Sequence, residues 1–126
     1  MNVVGAGRAI LLSEPPLYKP HLWFVLTDPE GNPETVVAVM LRTATKFTDS
    51  TLLLNPGDHP FVHHESSVHY STARPLSVAA ILSAIKTGRC HLRDDASREL
   101  LVRLRKGLLD SPYTVNAVRD HCRRLF

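Results

Sequence analysis

Four of the seven histidines of this 126-residue chain fall in one run, Gly57-Asp58-His59-Pro60-Phe61-Val62-His63-His64-Glu65-Ser66-Ser67-Val68-His69-Tyr70. Imidazole is the side chain whose ordinary pKa allows proton exchange near neutrality, and it is also a common metal ligand. Three chemistries compete for the run. A metal site would use His59, His63 and His69. On a helix, positions four apart converge, but Pro60, the β-branched Val62 and Val68, and the preceding turn argue against a helix here. In an extended chain the three share parity yet are spread along the strand, and their spacing matches no compact zinc signature. Acid–base chemistry without a metal needs less convergence. A ribose 2′-hydroxyl can cleave its own phosphodiester if one group removes its proton, another protonates the leaving oxygen, and a third stabilises the charged phosphorane. The third alternative is structural: histidines as hydrogen-bonding or surface residues, with Asp58-His59-Pro60 as a turn in which Asp58 caps backbone donors.

For the acid–base reading, the proton carriers are His59, His63 and His69, together with His21 at the head of an apolar stretch. Arg42 and Arg74 are candidate phosphate holders, and Thr43, Thr45, Ser66 and Ser67 candidate hydroxyl donors. Thr43-Ala44-Thr45 follows an apolar run and sits near a strand end, a position that reaches a binding surface; threonine also suits strands without any function. Trp23, the only tryptophan, can stack on a base or pack in the core. Cys90 and Cys122 have His91 and His121 as sequence neighbours, but adjacent positions do not face each other on a helix. Neither cysteine therefore reads as an activated nucleophile.

Elements must position these residues. Residues 1–19 are weakly patterned; Asn2-Val3-Val4-Gly5-Ala6-Gly7-Arg8 lacks the strand and third glycine of a dinucleotide loop. Residues 21–27, apolar on both faces, predict a central strand. Residues 28–33 predict a turn and residues 35–45 a second long strand. Short strands are expected over 50–54, 59–63 and 67–71. They are too closely spaced for strand–helix–strand units, so a small curled sheet or barrel follows. Proline and glycine punctuation then predicts a helix over 75–87, closed by Gly88. Leucine periodicity predicts a second over 96–109, capped by Asp94 or Asp95, and Ser111-Pro112 opens a third over 113–125.

Length and a hydrophobic fraction of 44% fit one domain, with a strand-rich part over about 20–74 and a helical part over 75–126. Residues 1–85 carry five Lys/Arg against seven Asp/Glu, and residues 86–126 ten against five. The basic end can hold a phosphate backbone or an acidic protein, or serve as a solvated helical face. Two cysteines that form neither a close pair nor a CxxC suggest neither a disulfide scaffold nor a cysteine-rich zinc site. Without a signal-peptide pattern or a long apolar run, the chain is expected to be cytoplasmic, with no membrane association.

The layout resembles the PemK/MazF-like toxins of bacterial toxin–antitoxin modules over residues 20–109. His21-Leu22-Trp23-Phe24-Val25-Leu26 stands where that family has an arginine–proline pair leading into an apolar strand. Val36-Val37-Ala38-Val39-Met40-Leu41-Arg42-Thr43 resembles its apolar strand ending in a threonine. Ser66-Ser67-Val68-His69-Tyr70, and Leu76 to Leu109 with Gly88 before the long helix, resemble its later segments. The family's catalytic arginine has no match at the strand entrance, where this chain has His21 instead; its catalytic threonine falls on Thr43, and the helix over 113–125 is an addition. The resemblance implies an α+β fold: a small SH3-like curled β-barrel followed by two or three C-terminal helices. It also implies a metal-independent endoribonuclease toxin acting on single-stranded RNA with no cofactor, partnered by a cognate antitoxin and forming a homodimer. His21, Thr43 and His59 would be catalytic; Arg42, Thr45, His63, Ser67, His69 and Arg74 would hold RNA. Two rivals stand beside it. One is a non-enzymatic binding module using the basic helices, where Arg119, Arg123 and Arg124 matter most. The other is a metal-dependent hydrolase on the histidine run.

Overall fold

A computed structural model describes residues 3–16 and 18–126. The sheet is built from β1 (Ala9–Ser13), β2 (Pro20–Val25), β3 (Thr35–Thr43), β4 (Leu53–Leu54), β5 (Ser66–Ser77) and β6 (Cys90–Arg93). Helix α1 (Val78–Lys86) precedes β6, and α2 (Arg98–Asp110) and α3 (Asn116–Arg123) follow it. The strands run in the order β4-β5-β3-β2-β1-β6, and every pairing is antiparallel. This is the expected α+β class: a curled, nearly closed antiparallel sheet with helices at the C-terminal end of the chain.

Both faces of the sheet are buried, as the double apolar pattern of residues 21–27 requires. Leu22, Phe24 and Leu26 of the β2 region, with Val37, Val39, Leu41, Val68 and Tyr70, pack under Leu100, Leu104 and Leu108 of α2 and Val118 and Cys122 of α3. The alternate residues Trp23 and Val25, with Ile10, Val36 and Ala38, pack under Ile81 and Ala84 of α1. Curvature comes from a break in register. Ala38 pairs with Arg74 but Met40 pairs with His69, so β5 bulges between them. Thr72 closes the gap: the Met40 N–H donates to its hydroxyl at 3.0 Å, and that hydroxyl donates to the His69 carbonyl at 2.6 Å.

Several expectations shift. The weakly patterned start contains β1, which pairs with β2 and β6; Asn2 lies outside the described residues. The short strand expected over 59–63 is a turn. Asp58 accepts from the Asn55 N–H at 2.7 Å, and the Val62 N–H returns to the His59 carbonyl. The segment 75–77 extends β5, and Ser77 caps α1 by accepting from Ala80. Ser97, not Asp94 or Asp95, caps α2. The strand-rich part also reaches beyond residues 20–74, because β1 and β6 lie outside that range. No helix among the described residues is long and apolar enough to cross a membrane.

Candidate functional site

The sheet parts between β2 and β3. Their paired register ends at Trp23–Met40. On the outer sides, β1 stays with β2 as far as Ser13–Pro20, and β5 stays with β3 as far as Thr43–Ser66. The start of β2 and the end of β3 are thus held by different neighbours and diverge. A cleft of about 420 Å³ opens there, lined by Lys19, Pro20, His21 and Leu22 on one side, Met40, Leu41, Arg42, Thr43 and Thr45 on the other, and Phe61, His63, His64 and Ser66 across it.

Six residues expected at a site from the sequence, His21, Arg42, Thr43, Thr45, His63 and Ser66, line this cleft together. His64 joins them, with its Nε2 3.0 Å from the Thr43 hydroxyl. The tautomer of His64 sets which group donates. Ser66 turns its hydroxyl to the His64 carbonyl at 3.0 Å and so steadies that residue. No carboxylate among the described residues lines the cleft. Among the described residues, neither Lys19 nor Arg42 has an acidic partner within ion-pair distance. The lining is therefore cationic and proton-active, with hydroxyl donors beside the cations.

The remaining expected residues stand elsewhere. His59 is buried, with both nitrogens committed: the Phe61 N–H donates to Nδ1 at 3.1 Å, so Nε2 carries the proton and donates to the Asp94 carbonyl at 2.6 Å. Its ring meets Phe24 edge-on. This imidazole joins the histidine segment to the end of β6 and has no free nitrogen for catalysis. Ser67 is fully buried and donates to the Asp49 carbonyl at 2.5 Å. Arg74 lies over the Trp23 ring at 4.7 Å and pairs with Glu14, away from the cleft. Trp23 itself is core, not a stacking surface.

His69 is half-buried opposite Met40, outside the cleft lining. Its Nδ1 is buried and has no hydrogen-bond partner among the described residues. Burial lowers its pKa, Arg42 lowers it further, and Asp49 opposes them. Among the described residues no group of three His, Cys, Asp or Glu side chains is placed to hold one metal ion; His59, His63 and His69 do not form one. Both cysteines are buried with raised pKa values, Cys122 to about 11, because burial disfavours the thiolate.

The basic C-terminal end is partly occupied by its own fold. Arg119 donates to the Ser111 and Thr114 carbonyls, Arg105 donates to the Leu26 carbonyl and lies over Phe126, and Arg123 pairs with Asp120. Sequence reasoning passed over His64, Lys19 and Phe61 as site residues. His64 was visible only as a member of the run, and nothing in its spacing distinguished it from His63. Comparison of the chain with family models, with curated proteins and with solved structures gave no match.

Proposed function

We propose that the cleft between β2 and β3 binds and cleaves the phosphodiester backbone of single-stranded RNA without a metal. The observation that carries this reading is the lining: three histidines and two cations around one opening, with no carboxylate in the lining and no acidic partner for either cation among the described residues. Arg42 and Lys19 meet the phosphate, whose negative charge grows as the phosphorane forms, and charge-assisted donors strengthen as it does. One histidine takes the proton of the 2′-hydroxyl as its oxygen bonds to phosphorus. Another gives a proton to the 5′-oxygen as that bond breaks, leaving a 2′,3′-cyclic phosphate and a free 5′-hydroxyl. His21 and His64, which line the same opening, take these two roles, with Thr43 oriented by His64. His59 takes no part, since both its nitrogens are engaged.

This keeps the RNase reading carried by the resemblance to PemK/MazF-like toxins and moves the second histidine to His64. A toxin role, a cognate antitoxin and a homodimer belong to the same proposal. Expression that arrests bacterial growth, relieved by the neighbouring gene, would support the toxin role; unimpaired growth would count against it. For the chemistry, purified protein should cleave single-stranded RNA in the presence of EDTA and leave cyclic phosphate ends. His21→Gln and His64→Gln should each slow cleavage by about a hundredfold or more, while His59→Asn should act through stability. Cleavage abolished by chelator, or unchanged in both cleft variants, would refute the proposal.

A further inference from the structure

The cleft of about 420 Å³ has a neighbour of about 170 Å³, and the two share Phe61 and His63 in their linings. The smaller cavity is completed by His59, Pro60, Arg93 and Asp94. Phe61 is 38% exposed, a large aromatic ring left at the ridge between the two openings. Arg93 is exposed at the end of β6, and among the described residues its guanidinium reaches only the adjacent Leu92 carbonyl, at 3.4 Å. Among the described residues no carboxylate lies within ion-pair distance of it. Asp94 brings the one carboxylate of this cavity, while its backbone carbonyl is held by His59.

Cations on both sides of an exposed aromatic suit a flexible strand whose phosphates meet the charges and whose unstacked base meets the ring. A duplex keeps its bases stacked and cannot offer that face. We infer that a single strand bound in the cleft continues over Phe61 and His63 into the smaller cavity, with a base on Phe61 and the next phosphate on Arg93. This rests on the reading of the cleft as an RNA site and adds a second subsite to it. The ligand must therefore span more than one phosphodiester. Asp94 opposes the phosphate there and tempers the subsite's affinity.

The test is a binding titration by fluorescence anisotropy with 2′-O-methyl oligonucleotides, which cannot be cleaved. A dinucleotide carries one phosphodiester and a tetranucleotide three. The tetranucleotide should bind the unmodified protein roughly tenfold more tightly than the dinucleotide. Arg93→Gln should lose most of that gain, leave dinucleotide binding unchanged, and reduce the slope of log affinity against log salt by about 0.7. Arg93→Lys, which keeps the charge, should retain the slope. Equal affinity of the two probes for the unmodified protein, or tetranucleotide binding untouched by Arg93→Gln, would overturn the second subsite and leave the cleft reading standing. Failure of the unmodified protein to bind either probe would overturn both.

Discussion

Thr43 and His64 test the cleft at the level of single atoms. Thr43→Val keeps the β-branched shape and removes the hydroxyl that meets His64 at 3.0 Å. RNA cleavage should fall by about tenfold or more, with the fold intact by circular dichroism. Unchanged cleavage would show that the pair only braces the loop. His69 reports from the other side of Arg42. Its pKa lies below 6.5, first because of burial and then because of Arg42. The folded chain therefore binds this proton less readily than the unfolded chain, and acid favours unfolding. Stability should hold above about pH 6.5 and fall as the pH drops below it. His69→Gln should flatten that fall in denaturant titrations across pH 5 to 7. A phosphate-bearing ligand on Arg42 should also move the His69 pKa upward, as read by NMR titration, because it cancels part of the arginine's charge. Sequence parity could indicate which histidines share a side of a strand. It could not show that His59 spends both nitrogens on backbone groups, because one of those partners, Asp94, lies 35 positions away.

Packing between elements has its narrowest tolerance where α2 crosses β5. Tyr70 is fully buried and donates to the Leu104 carbonyl at 2.9 Å. A Cβ added at Gly107 would stand 2.0 Å from the Tyr70 hydroxyl oxygen and 2.6 Å from its Cζ. Gly107→Ala must therefore push α2 off the sheet or expel the ring. The expected cost is about 3 kcal/mol in denaturant unfolding, against about 1 kcal/mol for Tyr70→Phe, which removes only the hydrogen bond. A near-neutral Gly107→Ala would mean that the helix sits farther from β5 than described. The elements themselves were legible to different degrees. β2 and β3 announced themselves by long β-branched and aromatic runs, and α2 by leucine spacing, whereas the expected caps did not hold: Ser97 caps α2, and α3 starts at Asn116 after Val115 with no side-chain cap rather than at Ser111-Pro112. β1 was hidden because Ala9-Ile10-Leu11-Leu12 alternates little and lies between glycines and prolines. β6 was hidden because three of its four residues are exposed. Ser67 was misplaced because a strand sends neighbours to opposite sides: Ser66 lines the cleft and Ser67 is buried. Arg74 was misplaced because the β5 bulge between His69 and Arg74 resets that alternation at residues the sequence does not mark.

Taken whole, the molecule is a sheet whose two faces need helices from later in the chain. A fragment spanning residues 20–74 retains β2 to β4 and most of β5 but lacks β1, β6 and every helix, so both apolar faces would meet water. It should show no cooperative unfolding transition, whereas a folded fragment would refute this dependence. Both thiols lie inside the packed layers with raised pKa values. A thiol reagent at pH 8 should modify Cys90 and Cys122 only on unfolding. Rapid labelling of either in native buffer would show that its layer opens. The division between a strand-rich first part and a helical second part was readable from composition and spacing. The interleaving of the two was not, because it depends on β6 returning to the edge of β1, a pairing between residues about 80 apart.

The bond from His59 to the Asp94 carbonyl also bears on the order in which the chain is made. Ribosomal synthesis delivers the strands around the cleft first and the carbonyl that fastens the histidine segment last. While residue 94 is still inside the exit tunnel, Phe61, His63 and His64 have no anchor at the β6 end. A nascent or prematurely terminated chain thus carries every cleft residue without the finished wall. The finished wall therefore waits on a carbonyl made 35 positions after the histidine it fastens.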